Sequence, residues 1–143
     1  MPSETVDGPA EPGRLPRPGE LTNTWRGLFI IGWGCALLGF LAVARSARNL
    51  GLSTWWLGPR SDPNLLLVQL IPSLPAVALI VMGARNVRFL PHFGVVGAIV
   101  LAAIATGDIG NFDRLAVAEF AIAAAALLLS VACFAGLLRR AEQ

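Results

Sequence analysis

The sequence predicts an all-α fold: a bundle of four transmembrane helices behind a disordered Pro-rich N-terminal tail, with a short interfacial segment in the first outer loop. Two observations predict it. Hydrophobic residues make up 55% of the 143-residue chain and charged residues only 14%, against roughly 25% charged in an ordinary soluble domain. The charges also fall in short clusters between long uncharged runs, whereas a soluble helix keeps them along its wet face. A chain of this length holds one compact domain, which has no room to hide four helices that are apolar all round.

Residues 1–23 carry five Pro and three Gly among mixed charges. Such a stretch buries too little apolar surface to offset its ordering entropy, and is read as a disordered cytoplasmic tail. The remaining residues, 24–140, form the membrane domain, with spans of about 25–44, 64–84, 91–107 and 114–138. Between Arg26 and Arg45 lie 18 uncharged residues, close to the ~20 that cross a hydrocarbon core. Ala42-Val43-Ala44 fits a signal-peptidase site, but the apolar run is longer than a usual signal core and follows a long, partly acidic tail. Retention as a helix is the reading adopted.

Asp62-Pro63 opens the second span as a cap followed by a residue suited to the first helical position. Pro72 and Pro75 fall inside it, so a kink is expected near Gln69 to Ser73, where backbone hydrogen bonds are lost. Pro91 sits in the first turn of the third span. In the fourth, Asp113 is read as the N-cap, and Arg139 and Arg140 suit the negative C-terminal end.

With four spans, both termini share a side with the loop at Arg85 and Arg88. That side carries seven Arg (14, 17, 26, 85, 88, 139, 140) and the other four (45, 48, 60, 114). The positive-inside rule then places both termini in the cytoplasm of a plasma-membrane protein. In the first outer loop, Trp55, Trp56 and Arg60 are read as an interfacial anchor, the indole rings lying at headgroup level and the segment ending at Gly58-Pro59.

The four spans, the Pro-rich tail and the block Trp55-Trp56-Leu57-Gly58-Pro59-Arg60-Ser61-Asp62-Pro63 resemble small four-span integral membrane proteins of bacteria, a group with no assigned activity. The resemblance covers most of the chain. It implies the fold and no functional residue.

Glu119 is the one ionisable side chain well inside a span, where a charge costs several kcal/mol. At helical period Glu119, Ala123, Ala126, Ser130 and Cys133 share a face, small enough for close helix contact. Gln69 and Ser73 head a similar stripe on the second span. Gln69 follows Pro63 by six residues and Glu119 follows Asp113 by six, so the two are expected at one depth and in contact. Glu119, Gln69 and Ser73 are therefore the candidate intramembrane polar site. The alternative puts Glu119 at headgroup level, wet and near Arg114. Gly32-x-x-x-Ala36 and Gly94-x-x-x-Ala98-x-x-x-Ala102 are further small-residue ridges.

No pattern of catalytic, metal-ligating or cofactor-binding residues is visible. Cys35 and Cys133 stand apart in apolar runs and read as small hydrophobes; His92 reads as an interfacial residue. A formal net charge of +2 gives no nucleic-acid surface. The expected partners are the lipid bilayer and a membrane-protein partner or a second copy. The function read from this is a non-catalytic structural or accessory membrane component. Its alternative is a small transporter or lipid-handling protein using Gln69 and Glu119.

Overall fold

The computed structural model describes residues 18–52, 54–59, 61–62, 64–110 and 113–137. Most of the N-terminal tail, Arg60, Pro63, Arg139 and Arg140 lie outside the described residues. The described chain is helical, with no strand. Five α-helices follow in order: α1 (Asn23–Leu50), α2 (Leu66–Gln69), α3 (Ser73–Ala84), α4 (Leu90–Thr106) and α5 (Asp113–Ala132), the last continued by a 3-10 turn, Cys133–Gly136.

Helix α1 has 28 residues, roughly 42 Å at ~1.5 Å per residue, and runs six residues past the expected end of the first span. It continues through Arg45 because Ala47 is fully buried and holds the last turn against the bundle. Gly51 then stops it at φ 73°, where its N–H bonds back to Ala47 and Arg48. This left-handed closure suits glycine. The expected kink is present: α2 and α3 are separate helices, parted by Leu70, Ile71 and Pro72. Helix α2 begins at Leu66 behind Leu65, with no side-chain cap, so Asp62 does not cap it. Asp113 turns away from its helix as well: its Oδ1 accepts the N–H of Gly110 at 2.9 Å.

Helix α1 packs on α3 and α5, and α4 packs on α5 and α3, closing a four-membered ring of α1, α3, α4 and α5. Phe29, Trp33, Phe40, Leu90 and Leu101 fill its middle and are fully buried. The buried face of α5 is Leu115, Ala116, Glu119, Ala123, Ala126 and Ser130, carried on by Cys133. These are the small residues that helical period places on one side. Gly94 of α4 faces them so closely that a Cβ there would meet the Ser130 hydroxyl and, at 2.8 Å, the Phe29 ring. Such ridges draw helix backbones together.

The outside is as apolar as the inside. Leu28, Ile31, Leu38 and Leu41 on α1, Leu74, Val77 and Val81 on α3, Val96, Ile99 and Val100 on α4, and Val117, Leu128 and Val131 on α5 are all exposed. Helix α1 and the α5 segment Asp113–Gly136 are long and apolar enough to cross a membrane, and only 28% and 33% of their apolar windows are buried within the protein. Helices α3 and α4 are apolar but shorter.

Both ends of the ring are closed by chain crossing over them. At the end bearing the termini, residues 18–22 form a strap. The Phe89 N–H donates to Gly19 (2.9 Å) and the Thr22 N–H to Gly136 (3.2 Å), and Arg88 donates twice to the Pro18 carbonyl. Leu21 is buried beneath it. The last residues of the expected disordered tail are thus bonded to the bundle.

Filling Gly94 with a methyl group is expected to cost about 1–3 kcal/mol, the usual range for overpacking. Gly34→Ala, where nothing lies within 4 Å of the added atom, is expected to be neutral or stabilising. Thermal unfolding of the two variants in detergent distinguishes them.

Candidate functional site

Polar side chains gather at the far end of the ring, opposite the termini. After Gly51 the chain folds back toward the bundle axis, burying Thr54, Trp56 and Leu57 to between 1% and 4% exposure. The turn is held by Leu57 and Gly58 N–H groups, both donating to the Thr54 carbonyl at 3.1 Å. Trp56 therefore lies inside the bundle, not on a lipid surface as expected of an anchor. A buried indole usually finds an acceptor for its N–H, and Trp56 Nε1 donates to Glu119 Oε1 at 3.2 Å. Trp55 is 41% exposed, but its indole Nε1 donates to the Ile104 carbonyl at 2.9 Å and lies against Gly107, where a Cβ would collide with the ring. Arg60 lies outside the described residues.

Glu119 is 0% exposed, so it is not wet as the alternative had it. Its partners are not those the sequence suggested. The same turn also holds Asp108, the residue two past the end of α4: its consecutive residues Trp55 and Trp56 donate one bond each to Asp108 and Glu119. Asp108 is also 0% exposed. Its Oδ1 accepts the backbone N–H of Trp55 at 2.8 Å. The second oxygens, Asp108 Oδ2 and Glu119 Oε2, receive no donor, and neither does the hydroxyl of Thr54. Burial raises the Asp108 carboxyl above its ordinary pKa range, with the Trp55 N–H and then the Glu119 side chain pulling the other way.

Gln69 does not join this pair. Its amide nitrogen donates to the Asn64 carbonyl at 2.6 Å and its oxygen accepts from Arg48 at 3.4 Å, while Asn64 itself donates to the Trp55 carbonyl at 2.8 Å. What lies between Gln69 and Glu119 is Trp56. It bonds Glu119 and walls a groove of about 190 Å³ that Gln69 and Ser73 also line, with Phe40, Leu57 and Pro72. Gln69 and Ser73 are both partly exposed. Sequence reasoning did not single out Asp108. The available signal was its place directly after an uncharged helix, within reach of whatever covers Glu119.

Elsewhere the sequence candidates separate. Cys133 is buried and Cys35 exposed. His92 stacks edge-on between Phe89 and Phe134, with centroids at 5.7 and 4.7 Å, at the end bearing the termini. Among the described residues no group of three or more His, Cys, Asp or Glu is placed to hold a metal ion. The chain matches no protein-family model, no curated protein and no solved structure, so its site is read from its own geometry.

Two outcomes follow. Trp56→Phe keeps the ring and deletes the donor to Glu119; it is expected to destabilise by about 1–3 kcal/mol, the cost of leaving a buried acceptor unpaired, read by thermal unfolding in detergent. Because folding raises the Asp108 pKa, the folded chain binds more protons than the unfolded one. Stability is then greatest below the ordinary carboxylate value of ~3.9 and falls as pH rises through the folded value. Asp108→Asn is expected to flatten that part of the pH–Tm curve.

Proposed function

We propose that the chain is a four-span integral protein of a bacterial plasma membrane, with both termini cytoplasmic, acting as a non-catalytic structural or accessory component of that membrane. The observation that carries the reading is the apolar surface: large aliphatic side chains are exposed on every long helix, outside a ring that is itself filled with apolar side chains. Water penalises that arrangement by roughly 25 cal/mol for each Å² of apolar surface; hydrocarbon does not. In this reading α2 and α3 together make the second span. Their 19 residues from Leu66 to Ala84 extend roughly 28 Å, near the ~30 Å of a bilayer core. The break at Pro72 is tolerated because Ser73 and Leu74 N–H groups bond back to Leu70 across it, in the way membrane helices satisfy freed backbone.

The middle of the ring supports an accessory role over a transport path. Phe29, Trp33, Phe40 and Leu101 fill it, and the polar groups around Glu119 are confined to one end. The grooves between α1 and α5 (about 270 Å³, lined by Gly32, Cys35 and Leu129) and between α4 and α5 (about 190 Å³, lined by Ala98, Phe120 and Leu127) are apolar surfaces for lipid or a neighbouring helix. A second reading, lipid handling, is favoured by one feature: the groove at Gln69 and Ser73, whose walls are otherwise apolar and aromatic.

Membranes washed at alkaline pH are expected to retain the protein. In a chain lacking Cys35 and Cys133, a membrane-impermeant maleimide is expected to label Ser61→Cys in intact cells and Asn23→Cys only after permeabilisation. Release by the wash overturns the membrane reading, and the reverse labelling overturns the orientation. Purification in mild detergent is expected to give a complex larger than one chain; a persistent monomer counts against the accessory role and leaves the lipid-handling one.

A further inference from the structure

The far end of the ring holds a chemical inconsistency. Ionised carboxylates only accept hydrogen bonds, yet Asp108 and Glu119 are both fully shut off from solvent and are brought together under one turn, whose consecutive residues bond one each. Each has one oxygen with a donor from the Trp55–Trp56 turn and one with none. A buried polar atom without a partner calls for an explanation. Two adjacent carboxylates taken out of water repel strongly, and such pairs elsewhere resolve the conflict by keeping a proton.

Among the described residues, the charged groups on the surrounding elements do not supply another answer. On α1, Arg45 is exposed and Arg48 reaches Gln69. Asp62 of the connection and Asp113 and Arg114 of α5 are exposed, and Asp113 is bonded to Gly110. Among the described residues no cation forms an ion pair with either buried carboxyl. The turn above supplies only the neutral donors Trp55 N–H and Trp56 Nε1–H.

We propose that Asp108 and Glu119 hold one proton between their two unpartnered oxygens, and that this shared proton latches the Trp55–Trp56 turn over the end of the bundle. Binding one proton converts two carboxylates into a hydrogen-bonded carboxyl–carboxylate pair of charge −1, leaving one oxygen of each residue to accept from the turn. Losing that proton to solvent leaves two like charges in contact, and the pair separates. Asp108 stands on the α4–α5 connection, Glu119 on α5, and consecutive residues of the turn bond one each. Separation of the carboxyls therefore pulls the turn apart, and with it the Trp56 and Leu57 wall of the neighbouring groove. The latch is independent of the accessory role proposed above and survives its failure.

The test uses the full chain in nanodiscs of neutral phospholipid. Infrared spectra in wild type are expected to show a protonated-carboxyl stretch at neutral pH that disappears in one step as pH rises. The band is expected to be missing from both Glu119→Gln and Asp108→Asn, whose amides supply the bridging hydrogen without a titrating proton. Hydrogen exchange of the peptide spanning Trp55 to Gly58, corrected for intrinsic rate, is expected to accelerate at least tenfold over the same pH step in wild type. It is expected to stay slow in Glu119→Gln. A mid-α5 peptide provides the reference for global unfolding. No protonated carboxyl at neutral pH in wild type, or a band that survives in either variant, overturns the shared proton. Loss of the band with no change in exchange at the turn overturns the latch. If one variant fails to fold, the other and the wild-type titration decide the same points.

Discussion

Glu119 is shut off from solvent by the bundle around it, and the arrangement of the far end follows from that constraint. A carboxyl carried into the interior on an otherwise apolar helix needs partners, since the desolvation cost of an unpaired charge exceeds what any single packing contact returns. The chain supplies them from two directions. Asp108 arrives from the end of α4, and Trp56 is brought in by a turn that would otherwise lie outside. Trp56 brings Leu57 and Thr54 with it, all three buried. The Trp55 backbone bond to Asp108 and its indole bond to Ile104 fix the turn at a second point. Three bonds, to Asp108, Ile104 and Glu119, thus fix where the Trp55–Trp56 turn lies.

The rest of the bundle follows a different rule, size. Where α4 and α5 meet, Gly94, Ala98, Ala123, Ala126 and Ser130 are buried, and the bulky aromatic residues Phe29, Trp33 and Phe40 all come from α1. Ser130 returns its hydroxyl to the Ala126 carbonyl at 2.7 Å, satisfying itself within its own helix. The middle is therefore held by packing and the ends by hydrogen bonds. The end bearing the termini is closed by the strap at residues 18–22, through backbone bonds and the Arg88 side chain, and the opposite end by bonds that each involve a side chain. Polar groups are placed where the helices run out, which in a membrane reading is where water begins.

This division bears on function. A closed middle and two covered ends describe a body that presents its outer faces, which accords with the accessory role proposed for it. The Trp55–Trp56 turn is a cover held by two buried carboxyl groups. If the bundle responds to its surroundings, that turn is the element equipped to do so.

The helical class, the apolar runs, the break at Pro72 and the inward face of α5 were legible in the sequence, because each depends on local periodicity or on a proline that deletes a specific backbone bond. Glu119 was legible as an anomaly, since charge in an apolar run is visible without coordinates. Its partners were not. Equal spacing from Pro63 and Asp113 implied a meeting with Gln69, but α2 begins only at Leu66, and Gln69 is held by Asn64 and Arg48 of neighbouring segments. Trp56 suited a lipid surface by composition, and only the fold shows it inside, because amphipathic indoles satisfy either setting. What the sequence determined by itself was which segments exclude water. Which polar groups face one another was decided by how the loops fold back over the ends of the helices, through contacts between residues as far apart as Trp56 and Glu119 that no local pattern encodes.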